Sequence, residues 1–129
     1  MVYLGTGNER GVAEKNWEKL EQLMVGIDEA NERGEIYMMV GDFNGHLGYL
    51  GYQGENENGK IINRFIEESG MILMNIDNKC RGTYTWERGE SRSAIDLVLT
   101  NERGYANVEE VILTKSELNW IFQTIVWWR

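Results

Sequence analysis

The chain has 129 residues, 42% hydrophobic and 26% charged, enough for one compact domain with a buried core. Its 13 basic and 21 acidic side chains give a net charge of −8, which argues against a self-sufficient nucleic-acid-binding module, since such modules displace counterions with a basic stripe. A single cysteine, Cys80, and a single histidine, His46, exclude an internal disulfide and any zinc-finger spacing, so a metal here must sit on oxygen ligands.

An acidic protein can still act on phosphodiesters when bound divalent cations supply the missing positive charge. No window approaches the run of about 18 apolar residues that a membrane span requires, and the first residues lack the basic and apolar zones of a secretory signal. The expectation is an intracellular protein with no membrane partner.

In chain order, Trp17, Leu20, Met24 and Ile27 recur every three or four positions, with Leu23 and Ala30 widening the stripe; the spacing predicts an amphipathic helix over 13–33, ended by Gly34. Residues 36–40 are short and apolar throughout, as in a strand buried on both faces. Gly45, Gly48, Gly51, Gly54 and Gly59 then mark a long loop. Ile61, Ile62, Phe65 and Ile66 predict a second helix, with Asn58 as its cap and Gly70 as its stop. Strands are expected at 71–76, 83–86, 94–100 and 108–113. This order describes a single α/β domain.

Two constellations carry chemistry. Gly41-Asp42-Phe43-Asn44 stands where a buried strand runs into a glycine-rich loop, the place where open α/β sheets hold ligands. Asp42 can take a proton from water while Asn44 donates to a phosphate oxygen. A surface turn favours the same residue types for conformational reasons alone. Asp96 interrupts the apolar strand Ile95 to Leu99, where a carboxylate is costly unless paired. It orients a catalytic group or holds metal in one reading, and lies on a wet strand face in the other.

Taken together, Gly41-Asp42-Phe43-Asn44, Asn58-Gly59, Thr83-Tyr84-Thr85-Trp86 and Ser93-Ala94-Ile95-Asp96 resemble, in order and spacing, the endonuclease/exonuclease/phosphatase superfamily. The likeness is greatest to the apurinic-endonuclease-like domain of non-LTR retrotransposons and its craniofacial development protein 2-like relatives. It covers about residues 1–113 of one partial domain, 1–129, and leaves 119–129 as an aberrant tail.

The resemblance implies an α/β fold, the C-terminal part of a four-layered sandwich of the DNase I-like type. It also implies hydrolysis of a DNA phosphodiester with Mg²⁺ or Mn²⁺, and a nuclear location. By position, Asp42 is the general base or metal-holding acid and Asn44 its phosphate-orienting neighbour. Asp96 matches the aspartate that holds the family's catalytic histidine or helps bind metal. Tyr3 matches the tyrosine that approaches the scissile phosphate, although the family usually continues with proline and this chain has Leu4-Gly5-Thr6. Trp86 matches an aromatic residue of the substrate cleft; a buried core tryptophan is the other reading. His46 does not match the catalytic histidine and reads as a loop residue.

The family's early asparagine and metal-anchoring glutamate would precede Met1, and its closing Ser-Asp-His motif is replaced by the tail. One codon choice for Phe122-Gln-Thr-Ile-Val-Trp-Trp, TTT CAG ACC ATA GTN TGG TGG, reads Phe-Ser-Asp-His-Ser after a single added T, which suggests a one-base deletion. The expectations are a chain without nuclease activity and self-association through an exposed sheet edge and Trp120, Trp127 and Trp128. The alternatives are a non-catalytic binding or structural remnant of the fold, and a phosphoinositide-type phosphatase of the same superfamily.

Overall fold

The computed structural model describes residues 2–6, 11–50, 54–82, 86–88, 91–93, 96–115 and 122–128; for 86–88, 91–93, 114–115 and 122–128 the backbone alone is described. The expected elements at 83–85 and 94–95 lie outside the described residues.

Helix α1 spans Val12–Arg33 and buries Asn16, Leu20, Ile27 and Ala30 along one face. Helix α2 spans Glu57–Ser69 and buries Asn58, Gly59, Ile62 and Phe65. Both end as expected, on Gly34 (φ 67°) and Gly70 (φ 68°), in the left-handed conformation that costs glycine least. The α2 cap differs from expectation: Asn56 accepts the Gly59 N–H at 2.8 Å, while Asn58 is wholly buried inside the first turn.

Strands β1 (Val2–Tyr3), β2 (Met38–Asp42), β3 (Ile72–Leu73) and β7 (Asp96–Thr100) build the central sheet, in the order β1-β2-β7-β3. β1 runs parallel to β2, and β7 is antiparallel to both β2 and β3. β2 starts two residues later than the apolar run suggests. Asn101 explains this, because its side-chain oxygen accepts the Tyr37 N–H (3.1 Å) and its own N–H donates to the Tyr37 carbonyl (3.1 Å), so pairing with β7 begins at Met38↔Thr100. The strand expected at 71–76 is also corrected: after Leu73 the chain tightens into a 3₁₀ turn at Met74–Ile76.

Further strands are β4 (Cys80–Arg81), β5 (Trp86–Arg88), β6 (Ser91–Ser93), β8 (Val108–Lys115) and β9 (Phe122–Trp128), and α3 spans Glu102–Asn107. β4-β8-β9 form a second sheet and β5-β6 a separate hairpin. The backbone of the tail is thus a strand, antiparallel to β8 from Lys115↔Phe122 to Val108↔Trp128.

Alternation along the strands explains the layering. Met39, Leu97 and Leu99 face the helices and pack with Leu20, Ile27, Ile62 and Phe65. Met38, Val40 and Val98 face the other way and pack with Val108, Val111 and Leu113 of β8. β2 and β7 are therefore covered on both faces, as the continuous apolar run indicates. Helices, central sheet and second sheet make a mixed α/β fold.

Candidate functional site

Three of the expected site residues meet at one end of the central sheet. Asp42 is the last residue of β2; it stands opposite Asp96 on β7 and beside Tyr3 on β1. Directly paired residues project from the same face of a sheet. The row Tyr3, Asp42, Asp96 thus shares the face of Val40 and Val98, at the end of the apolar layer beneath the second sheet.

Backbone hydrogen bonds determine how close the two strand positions come. The Asp42 carbonyl accepts from Leu4 N–H (3.0 Å), so its peptide groups turn towards β1. The Asp96 carbonyl and Val98 N–H bond to Asn75, on the β3 side. Asp42 and Asp96 are therefore a non-hydrogen-bonded antiparallel pair, the closer of the two kinds, with Cα atoms about 4.5 Å apart. Asp42 and Asp96 are half-buried, and Tyr3 is 61% exposed.

Burial pushes the Asp42 carboxyl above its ordinary value, and the hydrogen bond from Asn44 N–H (2.8 Å) opposes that rise. Asn44 is the only described residue other than glycine with positive φ, at 44°, a region asparagine tolerates. Its side-chain amide donates to the Leu4 carbonyl at 2.6 Å, joining the exits of β1 and β2. One amide hydrogen is thereby committed to the protein, and one remains for another acceptor.

Behind this loop lies an asparagine cluster that sequence reading missed. Asn58 donates to the carbonyls of Gly5 (2.8 Å), Phe43 (3.4 Å) and Asn44 (3.3 Å), and accepts from Asn16 (3.0 Å). Asn16, 2% exposed, also accepts from Gly5 N–H (3.1 Å) and donates to the Gly5 carbonyl (3.0 Å). The signal was present: Asn16 occupies the apolar stripe of α1, one turn before Leu20, as Asp96 occupies an apolar strand. Asn56 adds a bond to the Asn44 carbonyl (3.1 Å) and accepts the His46 N–H (2.8 Å), so His46 is a loop residue held by the α2 cap.

Trp86 lies on the β5-β6 hairpin, opposite Ser93, and its side chain lies outside the described residues, as do Thr83, Tyr84 and Thr85. A cleft of about 640 Å³, lined by Gly34, Gly70 and Asn101 among others, lies at the far end of the sheet and holds neither aspartate. It carries no part of this chemistry.

Two facing carboxylates suit a small hard cation such as Mg²⁺, which is commonly held by one or two carboxylates and keeps several waters. Among the described residues no group of three or more His, Cys, Asp or Glu side chains is placed to hold a metal. Among the described residues, the acidic side chains placed at this end of the sheet are those of Asp42 and Asp96.

The structure is similar to the endonuclease domain of TRAS1, a telomere-specific non-LTR retrotransposon, with a TM-score of 0.60 and 16% identity over 85% of this chain. The chain spans about half of that domain, 52% of its length. At this identity the likeness concerns the fold. No curated protein matches by sequence. The family model described as endonuclease-reverse transcriptase matches residues 2–119, nearly the whole chain, and the chain belongs to that family.

Proposed function

We propose that Tyr3, Asp42 and Asp96 form part of the cleft at which a DNA phosphodiester is bound and hydrolysed in this family, with Mg²⁺ or Mn²⁺ held by Asp42 and Asp96. The observation that carries the reading is the pairing of Asp42 with Asp96 at the loop end of the sheet. Carboxylates on directly paired strand residues place negative charge where a phosphate would bind, in a chain whose net charge is already −8. A divalent cation, when bound, supplies the charge that neutralises both the carboxylates and the developing oxyanion.

The protein's own groups have separable tasks. Asn44 N–H holds one oxygen of Asp42, which leaves the other for the cation or, in the general-base role, for a proton of the attacking water. The exposed Tyr3 hydroxyl donates to a non-bridging phosphate oxygen, and the second amide hydrogen of Asn44 is available for another.

Turnover is a different matter. His46 is the only histidine, and it precedes Asp96. The 129-residue chain thus lacks the proton-transferring imidazole that the resemblance assigns after that strand, and loss of such a group costs orders of magnitude in rate. We expect the purified chain to bind Mn²⁺, seen as paramagnetic broadening of Asp42 and Asp96 resonances, and not to nick supercoiled or abasic plasmid with Mg²⁺. Broadening that survives Asp42→Ala defeats the site assignment, and nicking abolished by Asp42→Ala defeats the expectation of inactivity.

A further inference from the structure

We infer that Asn75 is the positioning residue of the Asp42–Asp96 pair, its side-chain amide standing in for the strand residue that β3 fails to supply. The proposal rests on the reading of that pair as the cation-holding end of the site. β3 pairs with β7 only at Ile72↔Thr100 and Leu73↔Leu99, and the chain then turns away into the 3₁₀ segment Met74–Ile76. Continued pairing would have satisfied the groups of β7 that point to this side, the Val98 N–H and the Asp96 carbonyl. Asn75 satisfies both instead: Nδ2 donates to the Asp96 carbonyl at 3.0 Å, and Oδ1 accepts the Val98 N–H at 2.9 Å.

A primary amide carries a donor and an acceptor in one plane, as a peptide does, so it can close a ladder where no backbone is present. The location matters more than the bond count. Asp96 must stay in register with Asp42 for both carboxylates to reach one cation. A third backbone strand would have carried its own side chain onto the face beside Asp96. An amide on a turn holds the strand from its edge and adds no residue there.

The test uses the full 129-residue chain, Asn75→Ala, and Asn75→Asp, which keeps an acceptor for Val98 but, when ionised, has no donor for Asp96. The control is Asn107→Ala, which removes an exposed bond to the Arg103 carbonyl. In the parent chain, Asp42 and Asp96 should show the strong Hα–Hα nuclear Overhauser effect of a non-hydrogen-bonded pair. Both Asn75 variants should weaken it while leaving Met38–Thr100 intact. Asn75→Ala should speed Val98 amide exchange about five- to tenfold, the equivalent of one net hydrogen bond. Mn²⁺ affinity in both should fall roughly 10- to 100-fold, the range seen when partners of metal ligands are removed.

A lower Tm with the Asp42–Asp96 contact and Mn²⁺ affinity unchanged overturns the proposal, leaving Asn75 a structural residue only. Should the parent chain show no Mn²⁺ broadening at all, the cation reading of the site fails, and the contact and exchange measurements still decide the role of Asn75.

Discussion

Asp42 shows what a half-buried carboxylate costs. Its carboxyl is partly withdrawn from water with one backbone N–H in compensation, and burial raises its pKa above the ordinary 3.8. The folded state then holds the proton more tightly than the unfolded chain. Stability linked to this group is complete below 3.8 and is lost as pH rises through the folded value, so at neutral pH the charged form is a net cost. Asp42→Asn keeps an acceptor for Asn44 and discards the charge. It should melt above the wild type at pH 7, with the gap closing at acid pH; equal melting temperatures at pH 7 would count against burial as the dominant effect. Cys80 is a contrasting case, with no part in the site. Burial, and then the Asp77 carboxylate, push its thiol from 9.0 to about 11. At pH 8 its thiolate fraction is roughly a hundredfold lower than at the ordinary value. Iodoacetamide should modify it much more slowly in the folded chain than after denaturation, and equal rates would refute the assignment.

Between elements, the site loop is held from behind by the start of α2. Gly59 is the third residue of that helix, and a Cβ there would lie 2.1 Å from the His46 carbonyl oxygen. Two effects of Gly59→Ala oppose each other. Alanine improves helix propensity by about 1 kcal/mol, whereas a clash with backbone that cannot rotate away costs about 1–3 kcal/mol. The clash should win, because the same turn carries the Asn56 cap and the wholly buried Asn58, and both bond to the Asn44 carbonyl. Denaturant unfolding should show net destabilisation, with amide shifts at Asn44 and His46. Stabilisation would mean that the helix and loop move apart freely.

For the molecule as a whole, the second sheet depends on β9. The antiparallel ladder from Lys115↔Phe122 to Val108↔Trp128 covers one side of β8. A chain ending at Lys115 would expose those β8 groups as a strand edge beside the apolar layer of Val108, Val111 and Leu113. Sedimentation velocity should then show association at concentrations where the 129-residue chain sediments as a smaller species. Identical profiles would mean that β9 contributes little to covering β8.

Much of the architecture was legible because short-range physics decides it. The apolar stripe at helical spacing defined α1, glycines at helix ends marked both C-termini, and the continuous apolar run at 36–40 identified a strand covered on both sides. The ordered motifs around Asp42 and Asp96 were enough to indicate the family. Tertiary structure decided what depends on partners distant in sequence. Asn101 moves the start of β2, Asn56 displaces Asn58 as the cap, and Asn58 becomes a buried tie among Gly5, Phe43 and Asn44. Asn75 replaces a strand beside Asp96. Asparagine is the common element: its amide bonds equally well to a local turn or to a backbone tens of residues away, and only the fold selects between them.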